Sequence, residues 1–128
     1  MGFLLDTHTL LWFLSGNNSI SKKAKNIILD RKNKCYISIA SLWEIAIKIG
    51  LDKLSIETEF EGLADLLFQN DIEILPITFE HVSHLINLED IHRDPFDRII
   101  IATAKVETMP ILTKDRNFQE YKAVDIIW

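Results

Sequence analysis

The sequence predicts an α/β layered domain around a mainly parallel five-stranded sheet, on three observations. Short apolar runs alternate with helix-like segments along the chain. Five of these runs have strand length, and several are nearly continuous Ile, Leu and Val, as suits strands covered on both faces. No repeat, low-complexity tract or Pro/Gly-rich linker divides the 128 residues, so a single domain over 1–128 is expected.

The first strand, Gly2 to Asp6, is apolar until it closes on an acid, and Thr7 to Leu14 reads as the helix that follows. A second helix, Ser21 to Arg31, leads to the strand Cys35 to Ile39. Ala40 to Leu51 is a helix apolar nearly all round except for Ser41, Glu44 and Lys48, spaced by three and four. The helix Glu57 to Gln69 precedes the third strand, Glu73 to Ile77. Glu80 to Leu88 and Pro95 to Glu107 are helical, the second opened by Asp94 as N-cap with proline at the first helical position. The strands Met109 to Thr113 and Val124 to Ile127, with a short helix at Asn117 to Tyr121 between them, complete the pattern.

Lys and Arg number 14 against 19 Asp and Glu, which argues against holding nucleic acid by bulk charge and leaves a local basic rim as the alternative. The single cysteine, Cys35, excludes an internal disulfide framework and a Cys-rich zinc site, and it fits a reducing cytoplasm. MGFLLDTHTLLWFL has no basic leader and is interrupted by Asp6, and no apolar run nears the roughly 18 residues of a membrane span. A soluble, cytoplasmic protein without a membrane partner is expected.

Right-handed crossovers put the carboxyl ends of parallel strands along one edge, where ligands of open α/β sheets bind. Asp6 ends the first strand, Asp115 follows the fourth, and Asp97 lies in the first turn of the Pro95 helix, facing the same edge. Each has an ordinary explanation. Asp6, Asp94 and Asp115 precede helices and can cap them, Asp97 fits a capping-box-like pattern, and Glu44 is spaced to pair with Lys48. Their joint arrangement says more, because four carboxylates converging in one pocket must protonate or bind cations. Oxygen-only ligation selects a hard ion, Mg²⁺ or Mn²⁺, whose shell substrate phosphate completes; that is the chemistry of phosphodiester hydrolysis.

Four stretches, LLDTHTLLW at Leu4 to Trp12, SLWEIAIK at Ser41 to Lys48, HRDPFDRIIIATA at His92 to Ala104 and LTKDRNF at Leu112 to Phe118, together resemble the PIN-domain family, most closely its VapC-like ribonuclease toxins of type II toxin-antitoxin pairs. The resemblance covers essentially the whole chain, in the family's order. It implies a three-layer α/β/α sandwich and a Mg²⁺- or Mn²⁺-dependent endoribonuclease that leaves a 5′-phosphate and a 3′-hydroxyl. Carried over residue by residue, Asp6, Glu44, Asp97 and Asp115 match the family's four catalytic, metal-ligating acids, and Asp94 belongs to the DPFDR form of the third motif as a cap or outer residue. Thr7 and Thr113 are candidates to orient carboxylates or waters, while Arg93, Arg98, Lys114 and Arg116 flank the acids and are candidates to grip RNA.

The resemblance also implies a homodimer and a small antitoxin protein that covers the groove. Trp12, Phe13, Phe60 and Phe68 are candidate apolar partner residues. Two rivals remain. A receiver-type phosphoacceptor module has an acidic pair after its first strand and an acceptor Asp ending its third, whereas here Asp6 is followed by Thr7-His8 and the third strand ends EILPI. A degenerate PIN-like domain that binds RNA or protein without cleaving is the other, and the presence of all four acids gives it little support.

Overall fold

The structure, a computed structural model, describes residues 2–122 and 124–128. Strands β1 (Gly2–Leu5), β2 (Lys34–Ser38), β3 (Ile72–Leu75), β4 (Ile111–Leu112) and β5 (Ile126–Ile127) form one all-parallel sheet in the order β3-β2-β1-β4-β5. Parallel neighbours require crossovers. Seven α-helices among the described residues supply them: α1 (Thr7–Ser15), α2 (Lys22–Leu29), α3 (Ile39–Gly50), α4 (Gly62–Gln69), α5 (Phe79–His84), α6 (Pro95–Glu107) and α7 (Arg116–Gln119).

The near-continuous apolar strands are explained by burial on both faces. Phe3 and Leu5 of β1 pack with Leu10, Ile28, Ile45 and Leu67 from α1, α2, α3 and α4, while Leu4 between them packs with Ile100, Ile101 and Phe118 from α6 and α7. Two helical layers thus sandwich the sheet, the α/β/α arrangement expected. Burying such side chains stabilises by about 1.5–3 kcal/mol each, so Phe3, Leu4 and Leu5 anchor the central strand from both faces.

The topology reverses at β1. From there the chain steps outward to β2 and β3, then returns to the other side as β4. The crevice beyond the carboxyl ends of β1 and β4 is therefore the switch point, where open α/β sheets bind ligands.

Some boundaries differ from expectation. β4 is two residues long because Pro110 has no N–H for the ladder, although its carbonyl still accepts from Leu4 N at 2.9 Å. Helix α4 starts at Gly62 rather than Glu57. The preceding loop folds so closely on Gly62 that a Cβ there would lie 2.2 Å from Thr58 Oγ1, and Glu61 offers no side-chain cap. The helix expected over Glu80 to Leu88 tightens after His84 into a 3₁₀ turn, Leu85–Asn87. No helix among the described residues is long and apolar enough to cross a membrane.

Candidate active site

Asp6 follows β1 directly and is 5% exposed. Its Oδ1 accepts from Thr9 N at 2.8 Å, capping α1, and its Oδ2 accepts from the Thr113 hydroxyl just past β4. That hydroxyl also accepts from Asp115 N at 3.0 Å, so one threonine ties the acid after β1 to the acid after β4. Thr9 reinforces the seam by donating from Oγ1 to Leu112 O at 2.9 Å. Burial pushes the Asp6 carboxyl above its ordinary range, against the opposing hydrogen bonds from Thr113 and Thr9.

Glu44 enters from α3, whose N-terminus is capped by Ser38 at the end of β2. It is 7% exposed, with Oε1 accepting from Thr7 Oγ1 at 2.8 Å and Oε2 lying 3.0 Å from Lys48 Nζ. The i,i+4 pair foreseen from spacing is present, but one partner is buried and is held by a second element through Thr7.

Asp97 lies in the first turn of α6. Asp94 Oδ1 caps that helix, accepting from Phe96 N at 2.9 Å and Asp97 N at 3.2 Å, with Pro95 in the position where its missing N–H costs nothing. Burial raises the Asp97 pKa most, followed by the negative charges of Asp94, Asp115, Glu44 and Asp6, and together they push it up to about 7. The structure therefore brings all four predicted acids, with Asp94, within electrostatic reach of one another.

Capping and ligation do not exclude each other in these residues. Asp115 Oδ1 accepts from Asn117 N at 2.9 Å to cap α7, and its Oδ2 has no hydrogen-bond partner among the described residues. Asp94 likewise uses only Oδ1. Yet among the described residues no three His, Cys, Asp or Glu side chains converge tightly enough to enclose an ion. Lys48 pairs with Glu44, and threonine hydroxyls hold Asp6 and Glu44, within this open arrangement. The donor set is all oxygen and strongly anionic, which fits a small hard ion that keeps several waters better than one needing a closed protein cage.

Beside the acids lies a hollow of about 330 Å³ lined by Asp6, His8, Trp12, Lys114 and Asp115. His8 and Trp12 rings lie 5.9 Å apart, and Trp128 meets Trp12 edge-on at the same separation. Of the candidate cations, Arg93, Lys114 and Arg116 are exposed. Arg98 is not left free for a phosphate: its Nη1 donates to Glu89 O, His92 O and the Tyr121 hydroxyl, and its Nη2 to Leu88 O. The sequence put Arg98 beside an acid, but in a helix the next residue points about 100° away. Reading the motifs also passed over His92, whose Nε2 lies 3.3 Å from Asp97 Oδ2, and Tyr121, which no local pattern singles out.

The other histidines are structural. His81 Nδ1 accepts from Thr78 N in a capping box, and His84 contacts the Glu80 carbonyl. Cys35 is buried in β2, with its thiol pushed up to about 11 by that burial, so it is not a nucleophile.

Comparison with known proteins identifies the fold and the family. The family model described as PIN domain matches residues 3–124. Among solved structures, the fold is similar to a chain of VapBC2 from Rickettsia felis bound to a promoter DNA fragment, with TM-score 0.74 and 18% identity over 100% of this chain and 99% of that one. It is similar to a chain of DNA-bound VapBC from Salmonella typhimurium, with TM-score 0.75 and 18% identity over 99% and 97%. A member of the VapBC family of toxin-antitoxin systems, VapBC-5 from Mycobacterium tuberculosis, is similar at TM-score 0.59 and 22% identity over 98% and 97%. Comparison with curated proteins finds no match. With its acids after β1 and β4, on α3 and at the start of α6, and with nearly its whole length matched by the family model, the chain belongs to the PIN domain family.

Proposed function

We propose that this protein is a metal-dependent endoribonuclease, the VapC-like toxin of a toxin-antitoxin pair. The observation that carries the reading is the gathering of Asp6, Glu44, Asp97 and Asp115 at one edge of the sheet, held there by Thr7 and Thr113, with burial and the neighbouring carboxylates pushing Asp97 up to about 7. A fold that concentrates like charge in this way must keep a proton on one of the acids or bind a cation among them. Asp6, Glu44, Asp97 and Asp115 would hold Mg²⁺ or Mn²⁺. When bound, such an ion supplies Lewis acidity for phosphodiester hydrolysis.

The chain's own residues set the rest. Thr113 holds Asp6 and registers Asp115 against it, and Thr7 holds Glu44. Exposed Lys114 lines the acid hollow and, with exposed Arg93 and Arg116 next to the acids in sequence, would grip the RNA backbone, while His8 and Trp12 offer faces for an unstacked base beside Asp6 and Asp115.

Partners follow from surfaces. A groove of about 590 Å³ lined by Leu11, Leu14, Leu54, Ile56 and Leu63 shares His8 and Trp12 with the acid hollow, which suits an antitoxin segment with an apolar stretch and a basic end. Ile39, Trp43, Ile47 and Leu51 form an exposed apolar stripe along α3, and Phe79 and Ile86 extend the exposed apolar surface; a second copy would cover it in a homodimer. Of the aromatics singled out by sequence, Trp12 lines the groove and is half-buried, as is Phe13, while Phe60 and Phe68 are exposed. Buried Cys35 suits a reducing cytoplasm.

The test is cleavage of a mixed RNA pool by purified protein in EDTA, Mg²⁺ or Mn²⁺, with Asp97→Asn as control. Metal-dependent cutting that the variant loses is expected. A folded, antitoxin-free protein that cuts nothing in either metal and binds neither would favour the binding-only domain.

A further inference from the structure

Around Asp97 lies a set of polar contacts that neither capping nor the four-acid pattern accounts for. Tyr121, 2% exposed, places its hydroxyl 2.8 Å from His92 Nδ1 and 3.2 Å from Arg98 Nη1. His92 presents its other nitrogen to Asp97 Oδ2 at 3.3 Å. The imidazole is wedged in place by rings, Tyr121 at 5.6 Å and Phe118 at 6.2 Å between centroids.

Donor and acceptor chemistry gives this set a direction. A guanidinium only donates, so the Tyr121 oxygen accepts from Arg98. The phenolic hydrogen then needs an acceptor in a buried place, and His92 Nδ1 is its only one among the described residues. An imidazole accepting at Nδ1 is neutral and carries its proton on Nε2, the nitrogen that faces Asp97. A charged ring would put a second donor on the Tyr121 oxygen and leave the phenolic hydrogen buried without a partner.

We infer that Arg98, Tyr121 and His92 form a one-way hydrogen-bond chain that orients Asp97, with His92 as a positioning residue for the site. The inference rests on the nuclease reading above for its purpose, but not for its geometry. His92 Nε2–H holds Oδ2, which fixes the carboxylate plane and directs Oδ1 away from the ring. Arg98 also clamps the carbonyls of Leu88, Glu89 and His92, so the chain joins the loop before α6 to the acid in its first turn. It reproduces, for a carboxylate, the outer support that ligating side chains receive in metal sites.

Two readouts test it. Imidazole ¹⁵N resonances of the wild-type protein should report His92 as the neutral Nε2–H tautomer with a hydrogen-bonded Nδ1, and Tyr121→Phe should move the Nδ1 resonance to that of a free acceptor. Mn²⁺ affinity, measured by calorimetry on protein whose folding is checked by thermal unfolding, should fall about 10- to 100-fold in His92→Ala. Tyr121→Phe should weaken Mn²⁺ binding in the wild-type background and have no further effect in His92→Ala, because it acts only through the ring. His92→Gln, which keeps an N–H donor, should recover part of the affinity and carries the same cycle if the alanine variant does not fold. An Nδ1–H or charged ring in the wild type, or equal losses from Tyr121→Phe in both backgrounds, overturns the chain. If the wild type binds no Mn²⁺ but shows the Nε2–H tautomer with an Nδ1 hydrogen bond that Tyr121→Phe removes, the chain stands and the metal reading falls.

Discussion

At the carboxyl ends of β1 and β4, a hollow of about 330 Å³ is walled by Asp6, His8, Trp12, Lys114 and Asp115; at the amino ends of β2 and β3, a larger one of about 480 Å³ is walled by residues that include Arg31, Lys34, Phe68, Asp71 and Glu73. Size would pick the second. Its acids and cations are mixed in sign and exposed, so each is solvated where it stands. At the first, like charges are partly or wholly withdrawn from water, Asp6 and Asp97 are both raised, and threonine hydroxyls are built in to hold the carboxylates. What marks a working site is a cost the fold bears in order to keep it, and only one end of this sheet bears one.

The largest difference should be in turnover. Asp6→Asn or Asp97→Asn is expected to cut RNA cleavage at least about a thousandfold, since the proposed function asks these acids for several kcal/mol of transition-state stabilisation. Asp71→Asn and Glu73→Gln at the other end should leave the rate unchanged. Comparable losses at both ends in a cleavage assay would break the contrast.

Stability should separate the ends next. Asp97 has a folded pKa of about 7 against an ordinary 3.8, so its contribution is fully present below about pH 4 and is lost as pH rises through 7. The gap corresponds to as much as about 4 kcal/mol. Without metal, Asp97→Asn should therefore be more stable than wild type at pH 8, with the advantage fading toward pH 4. Denaturant unfolding at the two pH values measures it, and Asp71→Asn should show no such trend.

Metal should reverse that penalty. Mg²⁺ at 100 times its pH 8 dissociation constant is expected to stabilise the wild type by about 2.7 kcal/mol at pH 8, and the same concentration by less at pH 5, where Asp97 holds its proton. Melting curves with and without Mg²⁺ check this. The smallest effect belongs to the rim cations: Lys114→Ala or Arg116→Ala should weaken RNA binding modestly and lower the slope of log affinity against log salt by about one. Arg98→Lys should leave that slope alone, because Arg98 faces inward.

How much of this was legible in the chain differs by kind of interaction. The sheet could be read because burial on both faces leaves its mark in every strand, as Phe3, Leu4 and Leu5 show. Asp94-Pro95 marked the start of α6 correctly, since a cap and its helix are neighbours in sequence. The beginning of α4 was not legible, because it depends on Thr58 folding back onto Gly62. The four acids stood out through family motifs, and Thr7 and Thr113 are indeed bonded to two of them. Tyr121 was invisible: it meets His92 across 29 positions, and nothing in its own surroundings announces a polar role. Arg98 was misjudged for the same reason, since adjacency to an acid along the chain says little about which way a helical side chain turns.

The hydrogen bond from Thr113 to Asp6 joins residues 107 positions apart, and β1 cannot take its place between β2 and β4 before β4 exists. During synthesis, at about 5–20 residues per second, that interval lasts roughly 5 to 20 s. Throughout it a nascent chain on the ribosome carries Asp6 without the residues that complete the pocket. The pocket therefore cannot be complete until the last third of the chain has emerged, so whatever chemistry it performs waits on the end of synthesis rather than its beginning.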